Sequence, residues 1–180
     1  MVKHVVLMAL AFTLVEPGHA EPIKTDRSMS ESLGWLIGTW EEVSPTSTGS
    51  PATEMSFRWA AGREVILWEG NYAAEEATWS FAAIFFFDPI KDRVRVFAFN
   101  SHGQRHLGIL TKSEPGTLAW GVSGILPNGR KERFVMEFNK GEKDTLIFNL
   151  RDRRPDDGSG DGNSSVKLRR TAESGRDSKQ

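Results

Sequence analysis

The sequence predicts an all-β fold, an antiparallel barrel of about eight to ten strands preceded by one short helix. Three observations lead there. Between Trp40 and Thr171 the chain is a succession of short β-type runs, separated by turn signals roughly every 8–14 residues. In the second half these runs alternate cleanly: Phe134, Met136 and Phe138 fall on one face, with Arg133 and Glu137 on the other. Outside one short segment, no stretch holds the 3.6-residue period of an amphipathic helix. One dry and one wet face per strand is what an antiparallel sheet wrapped around a core requires.

In chain order, Ser30 can cap a helix over Glu31–Leu36, placing Leu33, Trp35 and Leu36 against one end of the barrel. The strand runs follow: Trp40–Ser44, Thr53–Ala60, Glu64–Ala73, Thr78–Phe87, Arg93–Asn100, Arg105–Lys112, Thr117–Leu126, Lys131–Asn139, Thr145–Arg151 and Ser165–Thr171. Ala61-Gly62, Asp88-Pro89, Ser101-His102-Gly103, Pro115-Gly116 and Lys140-Gly141 supply turn residues between them. Asn128-Gly129 is the strongest signal, because both residues tolerate the positive φ of a type I′ hairpin turn. Leu118, Trp120 and Val122 share a face, as do Leu146, Phe148 and Leu150. The stretch Trp79–Phe87 is apolar on both faces. Either another segment or a partner chain covers its outer side, or it is a Phe-rich core strand at a crowded spot. Pro155–Ser165 reads as a flexible hairpin loop.

The chain has 180 residues, enough for about one domain. With 23 Lys+Arg against 24 Asp+Glu, the net charge of −1 gives no electrostatic reason to seek nucleic acid or an anionic membrane. No cysteine is present, which excludes disulfides, thiolate zinc sites, iron–sulfur clusters and a Cys nucleophile. At the start, Lys3 and His4 precede an apolar run from Val5 to Val15, Pro17 ends it, and Gly18-His19-Ala20 offers a cleavage site. That is the pattern of a secretory signal peptide, and the run is too short to cross a bilayer that needs about 20 residues. The expected organisation is a signal peptide over 1–20, a polar leader over 21–29, a barrel over 30–173 and a disordered tail over 174–180. Cleavage near Ala20 leaves a periplasmic or secreted chain that starts at Glu21 and has no transmembrane segment.

Few motifs point to chemistry. Asp157, Ser159, Asp161, Gly162 and Asn163 imitate half of a calcium loop, but the position that needs a bidentate Glu is Leu168. His102 and His106 straddle the Gly103 turn with no third ligand nearby, so no metal is expected. A turn-tip His102 faces solvent, while His106 has either face of its strand open to it. No nucleophile elbow, phosphate loop or dinucleotide fingerprint occurs, and no cofactor is implied.

Gly38-Thr39-Trp40, inside LGWLIGTWEE, opens the first strand just after the short helix. This Gly-x-Trp resembles the opening motif of the lipocalin and wider calycin barrels. In that family the Trp closes one end of the barrel and a basic residue of the last strand packs across its ring. The resemblance therefore implies a partner among Arg169 and Arg170. Arg170 is in phase with Val166 and Leu168, so Arg170 is the one expected to stack, with Arg169 in solvent. The order LGWLIGTW, FRW, FFFDP, FAFNSHG and GILPNGR is similar over nearly the whole mature chain to a group of bacterial exported lipocalin-like proteins of unknown function. It implies a calycin-type barrel and transfers no catalytic residue. Haem-binding barrels of the same general plan carry a ligating histidine near their C-terminal strands, and no histidine follows His106 here.

Three functions are open to such a fold. A cavity-bearing barrel binds a small apolar or amphipathic ligand. Arg95 in phase with Phe97 and Phe99, His106 in phase with Leu110, and Trp59 in phase with Met55 and Phe57 would make an aromatic pocket with a cationic end, suited to an anion. Trp120 is a further candidate wall. Alternatively the barrel is a metal-independent enzyme, with Tyr72, His106 and Arg95 as its acid/base groups, or an interaction domain without a ligand. The oligomeric state is left open.

Overall fold

A computed structural model describes residues 27–43, 52–74, 77–155 and 162–171. Ten antiparallel strands form a closed barrel. They are β1 (Gly38–Glu42), β2 (Glu54–Ala60), β3 (Val65–Ala74), β4 (Ala77–Asp88), β5 (Arg93–Asn100), β6 (Arg105–Glu114), β7 (Thr117–Ile125), β8 (Lys131–Lys140), β9 (Thr145–Pro155) and β10 (Ser164–Arg170). Each strand pairs with its neighbours in sequence, and β10 closes on β1. Closure leaves no edge strand for another chain to extend. Each strand overlaps one of the ten runs read from alternation, but some ends differ: β1 begins at Gly38, β6 continues to Glu114, and β9 continues to Pro155, which was expected in the following loop. The expected signal peptide, residues 21–26 of the leader, most of the Asp/Gly loop and the tail lie outside the described residues. Among the described residues no helix is long and apolar enough to cross a membrane.

The N-terminal helix begins earlier than expected. Here α1 spans Arg27–Leu33 and runs into a 3-10 turn at Gly34–Leu36, so Ser30 sits within it rather than capping it. The cause is Met29. It lies one turn before Leu33, on the same face, and all three of Met29, Leu33 and Leu36 are buried in the core. Burial of that extra side chain outweighs the capping preference of Ser30. The Asn128-Gly129 turn also departs from type I′. Positive φ falls on Gly129 alone, at 82°, while the Asn128 side chain accepts a hydrogen bond from the Arg130 N–H. Pro127 and Arg130 therefore join a longer loop, closed by Gly129 N donating to Leu126 O at 2.9 Å.

A meander of this kind has two distinct ends. The end where β1 begins carries the β2–β3, β4–β5, β6–β7 and β8–β9 turns, and α1 packs there. An eight-stranded barrel is just filled by its own side chains, and ten strands enclose more width. Aromatic rings take up that width: Phe57 stacks on Trp68 at 5.6 Å, and Phe85 packs on Trp120 at 5.1 Å.

At the helix end, Trp40 is 1% exposed and its indole N–H donates to Leu36 O at 2.8 Å. Arg170 lies across the strand pair from Trp40, over its ring. The guanidinium donates to the carbonyls of Ile37 and, at 2.9 Å, Trp35. Between them, Trp40 and Arg170 satisfy carbonyls that the end of a helical turn leaves open. Arg169 is exposed. Gly38 makes room for this arrangement. Its φ is +133°, and a Cβ there would stand 2.4 Å from Arg170 Nη1.

Candidate functional site

The opposite end of the barrel holds a cavity of about 90 Å³. Its walls are Trp68 and Tyr72 of β3, Trp79 and Phe81 of β4, Phe134 and Met136 of β8, and Phe148 and Leu150 of β9. These residues come together because alternation points every second side chain inward, near the same end of each strand. Tyr72 packs against Trp79 at 5.0 Å, and Trp68 against Phe81 at 4.5 Å. No arginine, lysine or carboxylate lines the cavity. Asn100 does, but its side chain is committed to the neighbouring turn, where it bonds Gln104 and His102 N.

Three polar features remain. His106 lines the cavity, and its Nε2 lies 2.7 Å from Glu132 Oε1. Arg153 Nε donates to the other carboxylate oxygen of Glu132, also at 2.7 Å. Glu132 is 1% exposed. Burial by itself disfavours its ionised form, but the hydrogen bonds from His106 and Arg153, with their charge, outweigh that and hold its carboxyl below its ordinary value. An ionised Glu132 is acceptor-only, so the shared proton sits on His106 Nε2. That leaves Nδ1 as the ring nitrogen able to meet a ligand. The second feature is the Tyr72 hydroxyl, which has no hydrogen-bond partner among the described residues. The third is Trp68 Nε1, buried and likewise unpartnered.

The pair is possible because of Gly124. His106 of β6, Gly124 of β7 and Glu132 of β8 form one row across the sheet. His106 and Glu132 are thus two strands apart and reach each other over the residue between them. A Cβ on Gly124 would lie 2.4 Å from His106 Cδ2 and 3.0 Å from Glu132 Cγ.

The expected site residues separate into groups. Tyr72 and His106 meet at the cavity. Arg95 and Phe97 do not: β5 turns Val94 and Val96 inward, which places Arg95 and Phe97 on the outer wall. There Arg95 Nη1 pairs with Asp88 at 2.8 Å, a bond that holds the Asp88 carboxyl below its ordinary value. The expected cationic end of the pocket is therefore absent. Trp59 stands half-buried toward the helix end, with the Arg63 guanidinium 5.6 Å from its ring. Trp120 is fully buried core, away from the cavity walls. Gly38, Trp40 and Arg170 form the closure at the helix end. His102 is exposed at its turn, 5.8 Å from Trp79.

Glu132, Arg153 and Gly124 did not stand out in the sequence. One signal was there: Glu132 is in phase with Phe134 and Met136, so a carboxylate falls on the apolar face of its strand. Such a residue needs a partner when buried. Among the described residues no group of three His, Asp or Glu side chains is placed to hold a metal ion. No protein-family model matches the chain, and no curated protein matches it in sequence.

Proposed function

We propose that this chain is an exported, calycin-type barrel that binds a small apolar or amphipathic molecule in the cavity opposite α1. The observation that carries the reading is an aromatic cavity next to a histidine whose tautomer a buried carboxylate sets. Apolar walls with a few placed polar groups are the usual make-up of a small-molecule site. The size narrows the ligand. About 90 Å³ is well below the roughly 300–1,000 Å³ of a drug-sized pocket. Only a single small ring or the tip of an aliphatic chain fits inside, with the rest of the molecule leaving through the mouth. His106 Nδ1 suits a hydroxyl or N–H of the ligand.

The test is a titration with anilinonaphthalene sulfonate, an apolar anionic dye. Saturable binding is expected, lost in Leu150→Trp, which fills the cavity, and retained in Leu107→Glu on the outer wall. Equal binding by wild type and Leu150→Trp would place the dye elsewhere and remove the reading.

A proton-transfer enzyme is the second reading, favoured by the His106–Glu132 pair. A histidine held through Nε2 by a carboxylate presents Nδ1 as a base. Arg95, one of the three groups considered for that role, is on the outer wall. The binding reading needs no further group and is preferred.

A further inference from the structure

The large exposed apolar residues are not scattered. Six are present among the described residues: Ile84, Ile90, Phe99, Leu107, Ile109 and Ile125. Ile90 lies in the β4–β5 turn; Ile84, Leu107, Ile109 and Ile125 are on the outer phase of β4, β6 and β7, and Phe99 of β5 is exposed between this face and the cavity, which it also lines. The register ties them into rows. Leu67, Ile84, Phe97 and Leu107 are successive partners across β3, β4, β5 and β6. The next row, along the same strands, is Glu69, Ala82, Phe99 and Arg105.

We propose that this outer face is where two copies of the chain associate, about a two-fold axis that runs between β4 and β5, parallel to the strands. This goes beyond the cavity reading and is independent of it. A two-fold contact must be self-complementary, and these rows are. The axis exchanges β3 with β6 and β4 with β5. In the first row it sets Leu67 of one copy against Leu107 of the other, and Ile84 against Phe97. In the second it sets Glu69 of each copy against Arg105 of the other. The charges at the two ends of that row are therefore opposite where symmetry requires it. Both are available. Arg105 has no ion-pair or hydrogen-bond partner among the described residues. Glu69 meets Arg58 at only 3.6 Å, with both side chains more than half exposed.

Other occupants fit less well. After the expected cleavage site, the segments outside the described residues contain Ile23 as their one large apolar side chain, so they are unsuited to covering this face. An anionic lipid surface is drawn by a cluster of basic residues, and here acidic and basic groups are mixed. The barrel is closed, so no strand can be added at an edge. The patch spans four to five strands about 4.8 Å apart and covers a footprint on the order of 400 Å². Patches of this size often mark interaction sites. It is about half of what each partner buries in a standard interface, so the dimer should be weak and exchange with monomer.

The experiment is sedimentation velocity of the protein recovered after export, up to about 1 mM, a range that resolves weak association. The wild type is expected to shift from monomer to dimer as concentration rises. Glu69→Arg and Arg105→Glu, each alone, should weaken self-association by at least about ten-fold, because each creates two like-charge contacts per dimer. Mixing the two variants should restore association as a heterodimer. One of its two contacts is then the native pair, and the other is the same pair with its charges exchanged. Both substitutions are on exposed side chains and spare the fold. A wild type that stays monomeric throughout overturns the proposal. So does a dimer that neither variant weakens, a mixture that stays monomeric, or a protein that binds anionic vesicles in place of dimerising.

Discussion

The guanidinium carbon of Arg170 lies 4.1 Å from the centroid of the Trp40 ring. The two residues are direct partners across β1 and β10, the pair that closes the barrel. Trp40 and Arg170 together also bond the carbonyls of Trp35, Leu36 and Ile37. One contact thus joins the first strand, the last strand and the turn that ends α1.

Arg170→Ala should therefore lower stability by about 1–2 kcal/mol, through lost cation–π contact and stem packing. Arg169→Ala, on the exposed face, should change little. Urea denaturation of the two variants beside the wild type measures both. Equal, negligible effects would mean that the closure adds nothing to stability.

Gly38→Ala is expected to cost about 1–3 kcal/mol, the range for a residue forced into an unfavourable backbone region. Part of that cost is collision with Arg170 Nη1, 2.4 Å from the added Cβ. In an Arg170→Ala background the collision is gone, so the cost of Gly38→Ala should fall. A double-mutant cycle reads the difference. Strict additivity would show that the backbone alone makes Gly38 necessary.

Glu132 should make stability depend on pH. Its folded-state carboxyl is held below its ordinary value of 4.5, so it releases its proton more readily folded than unfolded. Its contribution is complete above 4.5 and is lost as the pH falls through the lower folded value. Glu132→Gln should be less stable than wild type at neutral pH, with the gap narrowing in acid. A gap that stays constant down to the acid limit would show that Glu132 does not titrate as its partners require.

Gly124→Ala should push the His106 ring off Glu132 without touching either residue chemically. Imidazole nitrogen NMR in alkaline buffer should show the Nε2-protonated tautomer in the wild type and a mixture in the variant. An unchanged tautomer would mean that the added methyl is absorbed elsewhere.

If export is correct, N-terminal sequencing of the secreted protein should begin at Glu21. A full-length product retained in the cytoplasm would rule it out.

The all-β class, the ten runs and most inward faces were legible because alternation is local. A strand's dry face follows from its own residues, as Phe134, Met136 and Phe138 show, and a β-only chain with short turns leaves few topologies. Local signals were weaker where burial competed with them. Met29 drew α1 past Ser30, and the Pro127–Arg130 loop kept Asn128 from the positive φ that its type tolerates. The phase of a strand with two apolar faces is not local at all. Phe97 and Val96 are equally able to face a core, and β5 buries Val94 and Val96 only because β4 and β6 fix its register. That decision sent Arg95 outside and removed the expected cationic end of the site. The His106–Glu132 pair was hidden for the same reason. It spans 26 positions and two strands, and it depends on Gly124 lying in the row between them. Sequence period determines which residues share a face; closure of the sheet decides which faces meet.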